Sequence, residues 1–366
     1  RRETMLALEV VTRAELAAGQ TPSVQPFHAL AYPLPDDLIT NISRAYARRA
    51  QLNAQASAPL SPPGAPARRA GQRVVVGYVS ADFVNHPLAH LMCSVFGLHD
   101  KDRFLVVCFS VSPDDGSAYR SKIQSEAEVF INLHGASAAD ASEVVKKMNV
   151  HVLFNLNGYT KGAVNELFAL RPAPVQVSYM GFCGTMGASF IDYLVTDAVT
   201  SPLALSSLYT EKLVHLPHSY FVNDHKQSHP EVLQESNHPP RSDYGLPEDA
   251  IVLCNFNQLY KIDPEVFGVW CDILTACPSA VLWLVRFPHA GEAGIMREAR
   301  ERGVEKQVFF SDVAAKSQHI LRGACADLFV DTIQCNAHTT ACDILWSGTP
   351  MITFPQRKMS GRVAAS

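Results

Sequence analysis

The densest run of residues able to do chemistry is Asp331-Thr332-Ile333-Gln334-Cys335-Asn336-Ala337-His338-Thr339-Thr340-Ala341-Cys342-Asp343. An apolar stretch ending at Asp331 reads as a strand, followed by a polar loop and by His338-Thr339-Thr340 as the first turn of a helix. The first amides of a helix lack intrahelical partners and sit at the positive end of its dipole, so this turn suits an anion such as a diphosphate. Asp343, one turn on, is placed to accept from ribose hydroxyls; the plainer alternative is that Thr339 only caps the helix. A second group is Asn255-Phe256-Asn257-Gln258-Leu259-Tyr260-Lys261, in which a buried run breaks into amides and ends on a lysine. Such a lysine neutralises charge on a departing phosphate without a metal, or is simply a solvated surface residue. A third, Val313 to Arg322, opens a helix with Lys316, His319 and Arg322 at i, i+3 and i+6, which either converge on one ligand or form a basic solvated face.

His86, in Asp82-Phe83-Val84-Asn85-His86-Pro87, follows a strand and precedes a helix. An imidazole near its ordinary pKa can take a proton from an acceptor hydroxyl, or can cap the helix. The loops Asn157-Gly158-Tyr159-Thr160-Lys161-Gly162 and Met180-Gly181-Phe182-Cys183-Gly184 also follow strands, and their glycines let the backbone approach a ligand closely or serve as plain turns.

These residues need elements to hold them. Met5 to Ala18 and Asp36 to Gln51 read as amphipathic helices, and Ala56 to Gly71, rich in Ala, Pro, Ser and Arg, as a loose linker. Strands are expected at 73–80, 104–110, 151–155, 175–180 and 193–196, with helices at 88–98, 117–126 and 138–148 between them. After a polar stretch from Val222 to Tyr244 come strands at 251–256, 280–285, 308–311, 328–331 and 351–354, alternating with helices at 264–276, 292–302, 316–324 and 339–346. Continuous apolar strands separated by helices predict parallel sheets covered on both faces, here two Rossmann-like α/β domains with a cleft between them and ligands at the strand ends. The expected division is a helical segment over 1–55, a linker over 56–72, an N-terminal catalytic domain over 73–225, a connection over 226–243 and a C-terminal nucleotide-binding domain over 244–366.

Composition narrows the partners. With 47% hydrophobic and 18% charged residues and a net charge of −4, the 366-residue chain has material for two cores and no basic footprint for nucleic acid. No apolar run reaches membrane-spanning length. Nine scattered cysteines, without CxxC spacing, fit reduced thiols better than a disulfide scaffold or a zinc site, which points to cytoplasm and nucleus.

Taken together, GYVSADFVNHPLAHLM, SPDDG, NGYTKGAVNELFALRPAPVQ, GTMGASFIDYLVTD, YGLPEDAIVLCNFNQLYKIDP, Ala314 to Lys316, HTTACD and LWSGTP resemble, collinearly from about Thr21 onward, the protein O-linked N-acetylglucosamine transferases. The resemblance implies a glycosyltransferase B type fold and inverting transfer of N-acetylglucosamine from UDP-N-acetylglucosamine to Ser or Thr hydroxyls, with no metal and no other cofactor. It makes His86 the candidate proton acceptor and Lys261 the partner of the leaving group. It places Gln258, Lys261, Ala314, Ala315, Lys316, His319, Arg322, His338, Thr339, Thr340 and Asp343 around UDP, with Ala314 to Lys316 on the uracil side. Asn157, Thr160, Met180 and Gly181 match positions near the sugar.

Family members carry tetratricopeptide repeats before this region, and the animal enzymes have a long insert where this chain has only Val222 to Tyr244. The expectation is therefore a plant-like or microbial form, cut short at both ends. The rival readings are a UDP-binding scaffold without turnover and a protein O-fucosyltransferase using GDP-fucose.

Overall fold

The computed structural model describes residues 2–58 and 71–366 and divides into two compact units, Arg2–Asp224 and His225–Ala365. Most of the expected linker, 59–70, lies outside the described residues.

The first unit opens with α1 (Arg2–Ala17), α2 (Pro26–Ala29) and α3 (Asp36–Ser57). Helix α3 begins with two aspartates that complement its dipole, and it runs past the expected end at Gln51 because its buried stripe Leu38, Ile42, Ala47, Ala50 continues to Ala54. Its polar side reaches the rest of the unit: Gln51 Nε2 donates to Ser189 Oγ at 2.7 Å, Asn53 Nδ2 to Glu166 Oε1 at 3.1 Å, and the Tyr159 hydroxyl to the Ser43 carbonyl at 3.0 Å.

Then follow β1 (Val74–Ser80), α4 (Pro87–Met92), β2 (Phe104–Ser110), α5 (Ala118–Glu126), β3 (Val129–Asn132), α6 (Ala138–Lys147), β4 (Val152–Asn155), α7 (Asn165–Ala169), β5 (Val175–Ser178), β6 (Tyr193–Asp197) and β7 (Lys212–Leu216). The seven strands are parallel, in the order β3-β2-β1-β4-β5-β6-β7, with β1 flanked in register by β2 (Val74 opposite Phe104) and β4 (Val76 opposite Val152).

The second unit comprises α8 (His225–Ser228), β8 (Ile251–Asn255), α9 (Pro264–Ala276), β9 (Ala280–Val285), α10 (Glu292–Glu301), β10 (Val308–Ser311), α11 (Lys316–Leu321), β11 (Leu328–Val330), α12 (Thr339–Trp346) and β12 (Met351–Ile352). The parallel order is β10-β9-β8-β11-β12. Strand β9 shows why the element forms: Ala280, Leu282 and Leu284 enter one core with Trp270 and Ile295, while Val281, Trp283 and Val285 enter the opposite core with Phe256 and Ile344. Period-2 alternation of apolar residues buried on both faces contributes about 1.5–3 kcal/mol for each large side chain. Helix α9 starts where Asp263 accepts from the Glu265 and Val266 amides and Pro264 takes the first turn.

Several expectations change in detail. The helix expected over 88–98 is α4 plus a 3-10 turn at Phe96–Leu98, and the one over 316–324 is α11 plus a 3-10 turn at Arg322–Cys325. The strand expected to Met180 stops at Ser178, because Met180 turns to φ +61°. Strands β3 and β7 and helix α7 escape the sequence pattern altogether; both strands lie at sheet edges, half exposed, and lack a continuous apolar run.

Candidate functional site

In each sheet the strand order reverses direction at one point, between β1 and β4 in the first and between β8 and β11 in the second. Loops leaving the carboxyl ends of such neighbouring strands diverge and leave room for a ligand.

In the second unit, Lys261 follows β8 and the run 331–340 follows β11, and the fold joins them: Lys261 Nζ donates to the Asn336 carbonyl at 3.0 Å. The loop itself hangs on buried Asp331, whose Oδ1 accepts from the amides of Thr332 (2.8 Å) and Ala337 (2.9 Å) and from Asn257 Nδ2 (3.1 Å). Burial pushes the Asp331 pKa up, against the hydrogen bonds from the Thr353 hydroxyl and the Ala337 and Thr332 amides and the nearby Lys261 charge. The His338 ring donates from Nε2 to the Ser360 carbonyl at 3.0 Å, and burial, with Lys261 beside it, lowers its pKa to about 3, so the ring is neutral. At the start of α12, Thr339 and Thr340 are half-buried, and neither their amides nor their hydroxyls find a hydrogen-bond partner among the described residues. Donors left open at a helix start are suited to an anion.

Around Asp343, a buried carboxylate only 3% exposed, α11 brings its own basic residues. Lys316 Nζ lies 2.6 Å from Oδ1, His225 Nε2 lies 2.7 Å from the same oxygen, and His319 Nε2 is 3.7 Å from Oδ2. Burial alone would raise the Asp343 pKa, but the His225 hydrogen bond and the Lys316 and His319 charges bring it down to about 2. The His319 pKa is also lowered, to about 4, mainly through burial, which leaves that ring uncharged at neutral pH. Arg322 is turned inward and forms no part of a solvated basic face. It is 1% exposed, donates to the Asp312 carbonyl at 2.8 Å and to His319 Nδ1 at 2.6 Å, and covers the Phe256 ring at 4.8 Å. The cause is that α11 ends at Leu321, so Arg322 opens a tighter 3-10 turn directed inward. Gln258 is exposed at the head of the turn carrying Lys261, and Ala314 and Ala315 lead from β10 into α11.

In the first unit, His86 is the N-cap of α4: its Nδ1 accepts from the Leu88 amide at 3.2 Å, with the side chain 43% exposed. A neutral ring used this way carries its proton on Nε2, so its free edge is a donor, whereas a proton acceptor was expected. Asn157 is sealed rather than open: its Oδ1 accepts from the Ala81 amide (2.7 Å), and its Nδ2 donates to Asp82 Oδ2 (2.7 Å) and Thr160 Oγ1 (3.0 Å). Burial raises the Asp82 pKa to about 7, the Asn157 hydrogen bond working the other way. Met180 and Gly181 turn sharply after β5, and a Cβ on Gly181 would fall onto the Leu156 carbonyl. Asp82 and His225 were not found from sequence as site residues. An aspartate four residues before His86 was the available signal for the first; nothing in the polar stretch singled out the second.

Two doubly wound parallel α/β sheets, each with one reversal of strand order, make up a fold of the glycosyltransferase B type, shared with the solved relative below. The chain belongs to glycosyl transferase family 41, whose sequence profile matches residues 2–239 and 230–366. It is 50% identical, over its whole length, to the Arabidopsis thaliana protein named probable UDP-N-acetylglucosamine–peptide N-acetylglucosaminyltransferase SEC, spanning 38% of that protein. With the Caenorhabditis elegans UDP-N-acetylglucosamine–peptide N-acetylglucosaminyltransferase it shares 36% identity over 97% of its length and 41% of the relative's. The solved structure of a Lys-to-Met mutant of the Thermobaculum terrenum O-GlcNAc transferase superposes with a TM-score of 0.79 at 25% identity, covering 99% of this chain and 71% of that one.

Proposed function

We propose that this chain transfers N-acetylglucosamine from UDP-N-acetylglucosamine to Ser or Thr hydroxyls of proteins in one inverting displacement. The observation that carries the reading is that Lys261 Nζ is held 3.0 Å from the carbonyl of Asn336, three residues before α12, whose Thr339 and Thr340 amides have no hydrogen-bond partner among the described residues. As the sugar departs, negative charge builds on the diphosphate, and donors already in place stabilise that charge without reorganising. Lysine and amides supply this stabilisation in the proposal, so no metal is invoked. Asp343 Oδ2 accepts a ribose hydroxyl, the main chain at Ala314 and Ala315 meets the uracil, and His86 orients the acceptor through its Nε2–H. The names of the plant and nematode relatives support the donor and the protein acceptor. Cytoplasm and nucleus are the setting proposed; none of the nine cysteines is joined in a disulfide, and no described helix is long and apolar enough to cross a membrane.

The test is a mass-shift transfer assay with UDP-N-acetylglucosamine and a Ser/Thr peptide, on wild type and Lys261→Met. The variant should keep its fold and lose on the order of 10²–10³ in kcat, the usual cost of removing one such donor. Equal turnover in the two proteins takes Lys261 out of the mechanism.

A further inference from the structure

We propose that His225 is a positioning residue of the nucleotide site, holding Asp343 Oδ1 through its Nε2–H so that Oδ2 stays free to accept a ligand hydroxyl. The proposal rests on the UDP reading above and adds to it a residue outside the expected ligand shell.

His225 is 2% exposed and opens α8, 118 residues before the carboxylate it meets at 2.7 Å. A carboxylate oxygen in its ionised form only accepts, so the imidazole edge facing it carries the proton. Oδ1 thus takes two donors, His225 Nε2 and Lys316 Nζ. Oδ2 takes no hydrogen bond among the described residues, the His319 ring standing off at 3.7 Å from Nε2. Lysine alone is a weak guide to orientation, since its ammonium turns freely on a flexible stem; the ring of His225 is held, with Trp346 at 6.0 Å and His229 at 6.1 Å between ring centres. The same short segment is tied twice more to the site's helices. The His229 carbonyl accepts from Trp346 Nε1 at 2.8 Å, and Glu231 Oε1 accepts from Ser317 Oγ at 3.0 Å. Residues 225–231 therefore act as a brace behind α11 and α12, and His225 is the point at which the brace reaches a group that touches ligand.

The experiment is calorimetric UDP binding and donor-saturation kinetics on the full chain and on His225→Gln, His225→Asn and His225→Leu, with thermal unfolding of each. Glutamine places an N–H at roughly the reach of Nε2, whereas asparagine falls short and leucine has none. The expected result is a UDP Kd and donor KM weaker by about tenfold in the Asn and Leu variants, the scale of one lost charge-assisted hydrogen bond, with kcat within about threefold and recovery in the Gln variant. Wild-type Kd in folded His225→Asn, a Gln variant as weak as Leu, a fall in kcat with Kd unchanged, or loss of fold in both Asn and Leu variants would each overturn the proposal. Failure of the wild type itself to bind UDP would remove the functional reading and this inference together.

Discussion

Asp82→Asn should change how the first unit responds to pH. Asp82 is 7% exposed just after β1, accepts from Asn157 Nδ2 at 2.7 Å, and among the described residues has only the His86 ring, 3.7 Å away, as a possible cationic partner. Burial raises its pKa from 3.8 to about 7. In the unfolded chain the carboxyl loses its proton near the lower value, whereas in the folded chain it keeps it until near the higher one. Between the two the native state binds the extra proton, so native stability falls as pH rises through that window. Three pKa units at about 1.4 kcal/mol each amount to about 4 kcal/mol. Asparagine preserves the shape and does not titrate. The stability difference, variant minus wild type, should move by about 4 kcal/mol in the variant's favour between about pH 4 and about pH 7.5. Hydrogen exchange of the β1 and β4 amides, read by mass spectrometry, reports this unit specifically, because all three tryptophans, Trp270, Trp283 and Trp346, lie in the other. Parallel pH dependences for the two proteins would show that Asp82 ionises normally and that its seal is not tight.

Lys316→Met leaves the buried Asp343 carboxylate to His225 and His319, and tryptophan fluorescence should show about 3–5 kcal/mol lost from the second unit. The wild-type contribution from Asp343, whose pKa drops from 3.8 to about 2, is full above pH 3.8 and fades as pH falls towards 2, so the acid-unfolding midpoint should rise in this variant. Gly181→Ala drives a methyl into the Leu156 carbonyl and should cost about 2–4 kcal/mol; an unchanged melting temperature would show that the turn yields. Exhaustive chelation should leave transfer unchanged, and a loss restored by Mg²⁺ or Mn²⁺ would end the metal-free proposal.

Much of the architecture was legible because the central strands of a two-sided parallel sheet are continuous apolar runs, as in Val74 to Ser80 and Ala280 to Val285. The edges β3 and β7 were not, since half-exposed strands carry no such run. Lys261 and the turn at Thr339 could each be picked out from its neighbours in sequence. Their meeting at Asn336, 75 residues from Lys261, depends on the β8–β11 pairing, which no local pattern encodes. Asp343 was recognised as an acceptor, but its burial and its two donors on one oxygen come from packing. His225 stayed hidden because a histidine in a stretch crowded with His, Pro and Asn looks like any other polar residue of a connection.

The proline-rich stretch before β1 looks like a natural seam between modules, yet the packing puts the seam elsewhere. Helix α3 touches the loops after β4 and β5 through Gln51, Asn53 and the main chain of Ser43, and Gly187 lies against the backbone of Ser43 and Arg44. Helix α3 is therefore packed as a part of the first unit. Severing the chain at residues 59–70 would strip these contacts from the loops that carry Tyr159 and Gly187, whereas severing it ahead of Asp36 would leave them in place.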